Sequence, residues 1–208
     1  MLGNYWDWQL IHFLKYGFPL GFEANCRGKI QNPEDNHSSG TQFPNDVQKY
    51  LDTEIQHGAI MGPYDRPPYG EDTHCSPFMS REKADSDTRR IIIYLSWPHD
   101  ASVNDFTPPN RYLGTHFKLQ YPTVDSITNH LKSLGKGALI YKVDLSRAFR
   151  QLPIDPFDYD LLCLKWNGQY YTDLYCAFGT KAGSMLCSRL TDSFRYLATK
   201  QGHVTLRT

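Results

Sequence analysis

A tight turn at Asn167-Gly168 constrains the fold of this chain more than any other short feature of its sequence. The two residues separate two runs rich in apolar and aromatic residues, LLCLKW and QYYTDLY. Asn-Gly favours the two-residue turn of a β-hairpin, because both of its positions take a positive φ. The sequence therefore predicts an antiparallel hairpin in which position 163 pairs with position 172. Cys163 then does not face Cys176, and no disulfide is expected.

Helical and strand patterns surround this hairpin. Three helices are predicted from the spacing of apolar residues: 46–57 after an Asn45 cap and before Gly58, 124–134 between Thr123 and Gly135, and a last helix from about Gly183. The apolar runs 91–95 and 138–144 have strand length, and the charged segment SREKADSDTRR before the first fits a hairpin tip. Because local hairpins alternate with helices, the predicted fold class is α+β.

Two other regions are dominated by loop signals. Residues 1–44 are aromatic-rich and then polar, with a turn or loose linker over 32–42, so little packing is expected there. Residues 62–75 contain several prolines and glycines and are expected to form a loop. Trp166 is expected to pack across the hairpin strands, whereas the tryptophans outside it could stack on nucleic-acid bases or lie in the core.

Composition excludes several classes of protein. The 22 Lys and Arg balance the 22 Asp and Glu, so a polyanionic partner would have to bind a local cluster of cations. The five cysteines form no CxxC pair, which indicates reduced thiols and an intracellular location, cytoplasmic or nuclear. The first residues have no basic segment before their apolar stretch, so neither a signal peptide nor a membrane span is expected. Nothing in the sequence indicates an oligomeric state.

Asp144 ends the predicted strand 138–144. Taken alone, such a residue more often belongs to a turn or caps a backbone group. Its neighbours change this interpretation. Two segments resemble motifs A and B of reverse transcriptases, first YKVDLSRAFRQLPI and then YCAFGTKAGSMLCSRLTDSF. An earlier segment resembles the fingers of the same enzymes, SPFMSREKADSDTRRIIIYLSWP. Several short segments are most similar to the enzymes of DIRS-type, tyrosine-recombinase retrotransposons, among them LKYGFPLGF, EIQHGAIMGP, LSWPHDASVND and KAGS.

The resemblance covers roughly residues 11–206. It implies a right-hand polymerase fold, divided into an N-terminal extension and linker (1–44), fingers (45–136) and part of the palm (137–208). It also implies RNA-directed DNA synthesis, with a template–primer and a deoxynucleoside triphosphate as partners.

The resemblance assigns a catalytic role to Asp144. Nucleotidyl transfer depends on two divalent ions that hold the attacking and leaving oxygens. Asp144 would bind Mg²⁺ or Mn²⁺ in the complete enzyme, with the carbonyl of Leu145 as a further ligand, because these ions prefer oxygen ligands.

Further residues correspond to the nucleotide site of the family. Phe149 matches the aromatic ring that excludes a ribose 2′-hydroxyl, although a phenylalanine is more often a core residue. Gln151 and the main chain of Arg147 and Ala148 resemble the segment beneath the incoming triphosphate. Such backbone N–H groups suit an anion.

The fingers and motif B supply the remaining substrate contacts. Arg90 aligns with the arginine that contacts the triphosphate, and Lys83 or Arg81 with its lysine partner. A solvated charged hairpin tip is the alternative. The resemblance places three more residues in the turn that opens motif B, beside the templating base pair: Phe178, Gly179 and Lys181.

The chain departs from the family in two respects. Motif C, a hairpin with paired aspartates, is not reached, and residues 193–208 contain no carboxylate. Tyr94 stands where the family usually has an aspartate. The expectation is therefore a fragment, truncated before motif C, that is inactive as written, with unpaired strand edges and poor solubility or association.

Two other functions compete with this one. A non-catalytic remnant could bind nucleic acid through the basic hairpin and the aromatic loops, with a strong dependence on salt. An unrelated small α+β protein, for example a ligand-binding one, would place Asp144 in a tight turn, hydrogen-bonded and away from any cleft shared with residues 81–90.

Overall fold

The computed structural model of the protein describes residues 5–84, 86–140 and 142–203, and for residues 86–88 it describes the backbone alone. Five α-helices lie in this part of the chain: α1 (Trp8–Tyr16), α2 (Ser38–Thr41), α3 (Pro44–Gln56), α4 (Val124–Leu134) and α5 (Gly183–Lys200). Seven strands accompany them: β1 (Ile60–Tyr64), β2 (Phe78–Lys83), β3 (Ser86–Ile93), β4 (Arg111–Tyr112), β5 (Thr115–His116), β6 (Cys163–Trp166) and β7 (Gln169–Asp173). Within these residues, no helix has the length and apolar character that a membrane span requires.

An antiparallel sheet in the order β1-β7-β6 forms the centre of the fold. The predicted hairpin is confirmed, because Asn167 and Gly168 take φ values of 49° and 77° and Cys163 pairs with Thr172. Trp166 is 4% exposed and its ring meets Phe78 of β2 edge-on, so it is a core residue that packs against a strand outside its own hairpin.

Strand β1 was not predicted. It overlaps the start of residues 62–75, where the expectation of a continuous loop is wrong. Pro63 is tolerated in β1 because the pairing with β7 shifts register between Met61 and Tyr64.

A second antiparallel pair, β2 with β3, confirms the predicted charged hairpin. The strands are longer than the apolar run 91–95 indicates, and most of the charged residues lie within them rather than at the tip. Arg81 of β2 stands directly opposite Arg90 of β3. The predicted tip includes Asp85, which lies outside the described residues.

The outer edge of β2 is covered by the segment around α2. Asn36 accepts a hydrogen bond from the N–H of Phe78 at 2.7 Å, and the Oγ of Ser39 accepts one from the N–H of Ser80 at 3.1 Å. The expectation of a loose linker over residues 32–42 is therefore wrong. This segment satisfies backbone groups that a free strand edge would leave open.

Residues 5–44 contribute to the core, so the expectation of little packing is wrong for them. Six of their apolar side chains are buried: Tyr5, Leu10, Phe13, Phe18, Leu20 and Cys26. Asp7, which is 5% exposed, accepts a hydrogen bond from the N–H of Leu10 at the start of α1. Its carboxylate also binds Arg189 of α5 through two hydrogen bonds of 2.5 and 2.7 Å.

The predicted helices exist, with one correction at a cap. α3 begins at Pro44 after Phe43, so Asn45 lies inside the helix and does not cap it. Proline suits the first helical position because its missing N–H has no partner there in any case. Thr123 caps α4 as predicted, with its Oγ1 accepting a hydrogen bond from the N–H of Ser126 at 3.1 Å.

The predicted strand 138–144 does not form in the described residues of this segment. Residues 138–140 and 142–144 are irregular, and the exposed fractions of Leu139, Ile140 and Val143 are 95%, 71% and 74%. Tyr141 lies outside the described residues. An apolar run becomes a strand only beside another strand, because its backbone groups need hydrogen-bond partners there. None of the described strands pairs with this segment.

Candidate functional site

Three predicted site residues from distant parts of the sequence meet in one contact. The rings of Phe149 and Phe178 meet edge-on with 5.0 Å between their centroids. The guanidinium of Arg90 lies 5.4 Å from the centroid of the Phe178 ring, within the range of a cation–π interaction. The structure thus brings the hairpin β2–β3, the segment after Asp144 and the turn before α5 to the same place.

The hairpin presents cations toward solvent beside this contact. Arg81, Lys83 and Arg90 are exposed, and no described carboxylate lies within salt-bridge distance of the two arginines. Like charges directly opposite each other weaken a strand pair, so Arg81 and Arg90 gain from a bound anion.

The acidic residue Glu82 does not neutralise these cations. It alternates to the other face of β2, where it pairs with Arg89 at 3.0 Å. Arg89 also donates to the Oγ of Ser80 at 3.0 Å and lies 3.7 Å from the ring centroid of Phe43. Arg89 is therefore a structural residue, distinct from the exposed pair.

The turn at Gly179 lies against the end of β3. Gly179 has a φ of 109°, which side chains rarely adopt, and an added Cβ would lie 2.5 Å from the carbonyl oxygen of Ile93. The glycine therefore permits a close approach between the hairpin strand and this turn. Phe178, beside it, remains 51% exposed.

Asn104 fixes the same turn from a third segment. Its side chain donates to the carbonyl of Gly179 at 2.7 Å and to Ser96 at 2.8 Å, and accepts from the N–H of Lys181 at 2.9 Å. Asn104 lies in LSWPHDASVND, one of the segments that carry the resemblance, but no role was predicted for it. The segment gives no indication that this asparagine is only 6% exposed.

Lys181 is held by backbone groups in this structure. Its ammonium donates to the carbonyl of Asn104 at 2.5 Å and to that of Thr107 at 2.8 Å. These bonds give Lys181 a structural role in joining the turn to the loop at 104–107. A contact between Lys181 and the substrate stays a prediction.

Asp144 lies in a different environment. It is exposed, and its Oδ1 accepts a hydrogen bond from the N–H of Leu145 at 3.1 Å. It lines a cavity of about 340 Å³ whose described walls are Leu14, Asp144, Leu145, Ser146, Gln151, Leu190 and Phe194. Three predicted site residues belong to this lining, Asp144, Leu145 and Gln151. The lining contains neither Phe149 nor Phe178, and none of residues 81–90.

Two arginines that are not part of the cavity lining anchor the segment around Phe149. Arg147 binds Glu54 of α3 at 2.6 Å, and Arg150 lies 3.3 Å from the same carboxylate oxygen. Arg150 also binds Asp173 at 2.5 Å. Ala148 begins the short 3₁₀ helix Ala148–Gln151 between these anchors.

Asp173 is the most deeply buried member of this network. Burial raises the pKa of its carboxyl group, and Arg150 counteracts that effect by stabilising the charged form. Its Oδ2 has no hydrogen-bond partner among the described atoms. Sequence reasoning missed both Glu54 and Asp173, because each is an ordinary residue of its own helix or strand.

Tyr94, the departure from the family pattern, belongs to an aromatic group at the end of β3. Its ring stacks with that of Trp97 at a centroid distance of 6.3 Å and meets His37 and His99 edge-on at 6.2 and 6.5 Å. Trp97 is 43% exposed, so this group presents an aromatic face to solvent.

The described residues supply only part of a metal site. No group of three or more His, Cys, Asp or Glu side chains in them could hold an ion. Asp144 and the carbonyl of Leu145 have suitable oxygen ligands but no second carboxylate beside them, so the ligand set for two divalent ions is incomplete.

The cysteines show no reactive centre in the described part of the chain. All five are free thiols, as predicted. Burial raises the pKa of Cys163 and of Cys176 to about 12, so both stay protonated and unreactive at neutral pH.

Comparison with known proteins identifies solved structures with a similar fold. No protein-family model and no curated protein matches the chain. Among solved structures, the native protease-reverse transcriptase of prototype foamy virus matches 86% of this chain with a TM-score of 0.53 and 20% identity. The foamy viral protease-reverse transcriptase dRH in complex with double-stranded DNA matches 81% of this chain, with a TM-score of 0.52 and 14% identity. The foamy viral protease-reverse transcriptase in complex with an RNA/DNA hybrid matches 82% of this chain, with a TM-score of 0.50 and 15% identity.

The chain spans 20% to 25% of the length of these solved chains. At 14% to 20% identity, such likeness shows the fold alone. The protein has a mixed helix and sheet structure with a reverse-transcriptase-like fold.

Proposed function

We propose that this chain is part of a reverse transcriptase, most similar to those of DIRS-type retrotransposons, and that it binds a template–primer and a deoxynucleoside triphosphate. One observation carries the proposal: Arg90, Phe178 and Phe149 are in contact, although they come from three separate motifs. In this interpretation the three motifs are the fingers, motif B and motif A.

The arrangement suits a nucleotide because it has cationic groups at one end, for phosphates, and an apolar ring at the other, for a sugar. Arg90 and Arg81 offer a pair of guanidinium groups, which bind phosphate oxygens through two parallel hydrogen bonds. Phe149 offers a flat apolar ring that suits the sugar face of a nucleotide. A triphosphate on the hairpin would place its sugar near this ring.

The nucleic-acid partner is supported by the structural relatives. Two of them are complexes with double-stranded DNA and with an RNA/DNA hybrid. Exposed cations beside exposed aromatic rings are the usual features of such a surface.

Catalysis is proposed only for a complete enzyme. Asp144, with the Leu145 carbonyl, would hold Mg²⁺ or Mn²⁺, and such an ion would neutralise charge during phosphoryl transfer. Further carboxylates would have to complete the site, since the described residues near Asp144 supply none.

Binding to a labelled primer–template tests the proposal. Fluorescence anisotropy over a range of salt concentrations should give an affinity that falls steeply with salt. With a complementary deoxynucleoside triphosphate present, Arg81→Gln and Arg90→Gln should each weaken binding about tenfold and reduce the salt slope by about 1, because these arginines would hold the triphosphate. Arg66→Gln removes an exposed cation from a loop outside the hairpin and should change neither value. Equal effects of the three variants, or no binding by the native chain, would contradict the proposal.

A non-catalytic nucleic-acid-binding remnant is the second candidate. The stack of half-buried Tyr94 with exposed Trp97 favours it, because base stacking needs no metal site. The two candidates differ in their response to a deoxynucleotide complementary to the template. This nucleotide should strengthen primer–template binding in a polymerase and leave it unchanged in a simple binding module.

A further inference from the structure

The turn at Ser146-Arg147 separates Asp144 from Phe149, and its backbone conformation is unusual. Arg147 takes a φ of 53° and a ψ of 45°, in the left-handed region that non-glycine residues seldom occupy. A residue with a large side chain stays there only when its surroundings hold it.

The side chain of Arg147 supplies that restraint. Its Nη2 lies 2.6 Å from Oε2 of Glu54, whose side chain is only 10% exposed in α3. Arg150 anchors the other end of the short helix to Asp173 and to the hydroxyl of Tyr50. The segment is therefore tied to a rigid helix on one side and to the end of a central strand on the other.

Leu145 and Phe149, on either side of the turn, pack against the core, but the turn itself has few other contacts. Asp144 and Ser146 are exposed, and the side chain of Gln151 reaches the carbonyl of Ser146 only at 3.4 Å. The direction in which the chain passes from Asp144 to Phe149 thus depends on the arginine at the turn.

We infer that Arg147 is a positioning residue: through Glu54 it locks the left-handed turn and so fixes the carboxylate of Asp144 relative to the ring of Phe149. This inference deepens the proposed function and rests on it for its consequence in nucleotide binding. The predicted role of Arg147 concerned its main chain, whereas the inferred role belongs to its guanidinium.

Two substitutions distinguish the effect of the Arg147 guanidinium from that of the backbone conformation at this position. Arg147→Asn keeps a residue type that tolerates the left-handed region but removes the guanidinium, and Arg147→Lys keeps a charge that can reach Glu54. Glu54 retains Arg150 as a partner in both variants, so it is not left as an unpaired buried charge.

Amide hydrogen exchange measured by NMR gives the first readout. The N–H groups of Arg150 and Leu152 donate to the carbonyls of Arg147 and Phe149, so they report on this segment. We expect Arg147→Asn to accelerate their exchange about tenfold or more, by local opening. Exchange of Leu174, whose N–H donates to Ala59, should stay unchanged. Arg147→Lys should restore most of the protection.

Arg27 provides a matched control. Its side chain is 33% exposed, against 34% for Arg147, and it pairs with Asp158 and Asp160. Arg27→Asn should leave the exchange of Arg150 and Leu152 unchanged. Unchanged exchange in Arg147→Asn, or an equal acceleration at Leu174, would overturn the inference.

Affinity for a deoxynucleoside triphosphate gives the second readout. If the native chain binds dCTP, Arg147→Asn should weaken that binding about tenfold and Arg147→Lys should recover it. An affinity unaffected by Arg147→Asn would overturn the positioning role in nucleotide binding. If the native chain binds no dCTP or primer–template, the proposed function fails, and the exchange data still decide whether Arg147 locks the turn.

Discussion

Phe149 lies between two neighbours that fix the orientation of its ring. Phe178 meets it edge-on, and a Cβ at Gly183 would lie 3.0 Å from it, so this glycine leaves room for the ring. The ring is therefore held in one place, as a selectivity residue requires. Its proposed task is to exclude the 2′-hydroxyl of a ribonucleotide.

Replacing Phe149 by valine tests this task. The smaller side chain leaves space for a 2′-hydroxyl, so the preference for dCTP over CTP should fall about tenfold. Competition binding with the two nucleotides measures it, and Phe157→Val, at a phenylalanine that is 88% exposed, is the control. An unchanged preference would remove the assignment.

Gly179 allows a second test at the residue scale. Gly179→Ala adds a Cβ about 2.5 Å from the carbonyl oxygen of Ile93, in addition to the strain of a positive φ. We expect a loss of about 2 kcal/mol or more in the free energy of unfolding.

Gly137→Ala is the matched control, because Gly137 has a φ of 93° but nothing within 4 Å of an added Cβ. It should cost only about 1 kcal/mol, from the backbone alone. Urea unfolding compares the two variants. Equal losses would mean that the turn and β3 are not in close contact.

How far the site could be predicted depends on the kind of signal that each residue carries. Arg90, Phe149 and Phe178 were proposed as site residues because each matches a motif position with a role, and the structure brings them together. Asn104 and Glu54 lie in segments that carry the resemblance, but no role was predicted for them, because their contacts depend on partners far along the chain.

At the scale of elements, turn chemistry was the reliable signal. Asn167-Gly168, Thr123 and Gly183 mark boundaries that the structure confirms, because each acts through its immediate neighbours. Pairing was less predictable. β1 contains Pro63 and was taken for loop, whereas residues 138–144 have strand composition but no described partner.

The edge of β2 gives a prediction at this scale. Asn36 accepts from the N–H of Phe78 and donates to the carbonyl of Lys165 at 3.0 Å, so it joins the hairpin β2–β3 to the central sheet. Asn36→Ala leaves the buried N–H of Phe78 unpaired and should cost about 1–3 kcal/mol of unfolding free energy.

Asn129→Ala, at an exposed position on α4, is the control for Asn36→Ala. Its free energy of unfolding should stay within about 0.5 kcal/mol of that of the native chain in a urea titration. A similar small effect of Asn36→Ala would show that water readily replaces the Asn36 contact.

At the scale of the whole molecule, residues 5–44 are part of the fold. The pair Asp7–Arg189 joins residues 182 positions apart, and Asn36 and Ser39 reach β2. Sequence patterns could not show this, because a polar segment with scattered aromatic residues looks the same whether it packs or not. The packing depends on where α5 and the hairpin stand in space.

The exposed side chains of Leu139, Ile140 and Val143 have a consequence for the behaviour of the protein in solution. Lys and Arg balance Asp and Glu at pH 7, so little electrostatic repulsion keeps copies of the chain apart. Dynamic light scattering should therefore show particles that grow with protein concentration near neutral pH and shrink when Ile140→Lys and Val143→Lys are combined. A native chain that stays monodisperse at high concentration would show that this exposed apolar segment does not drive self-association.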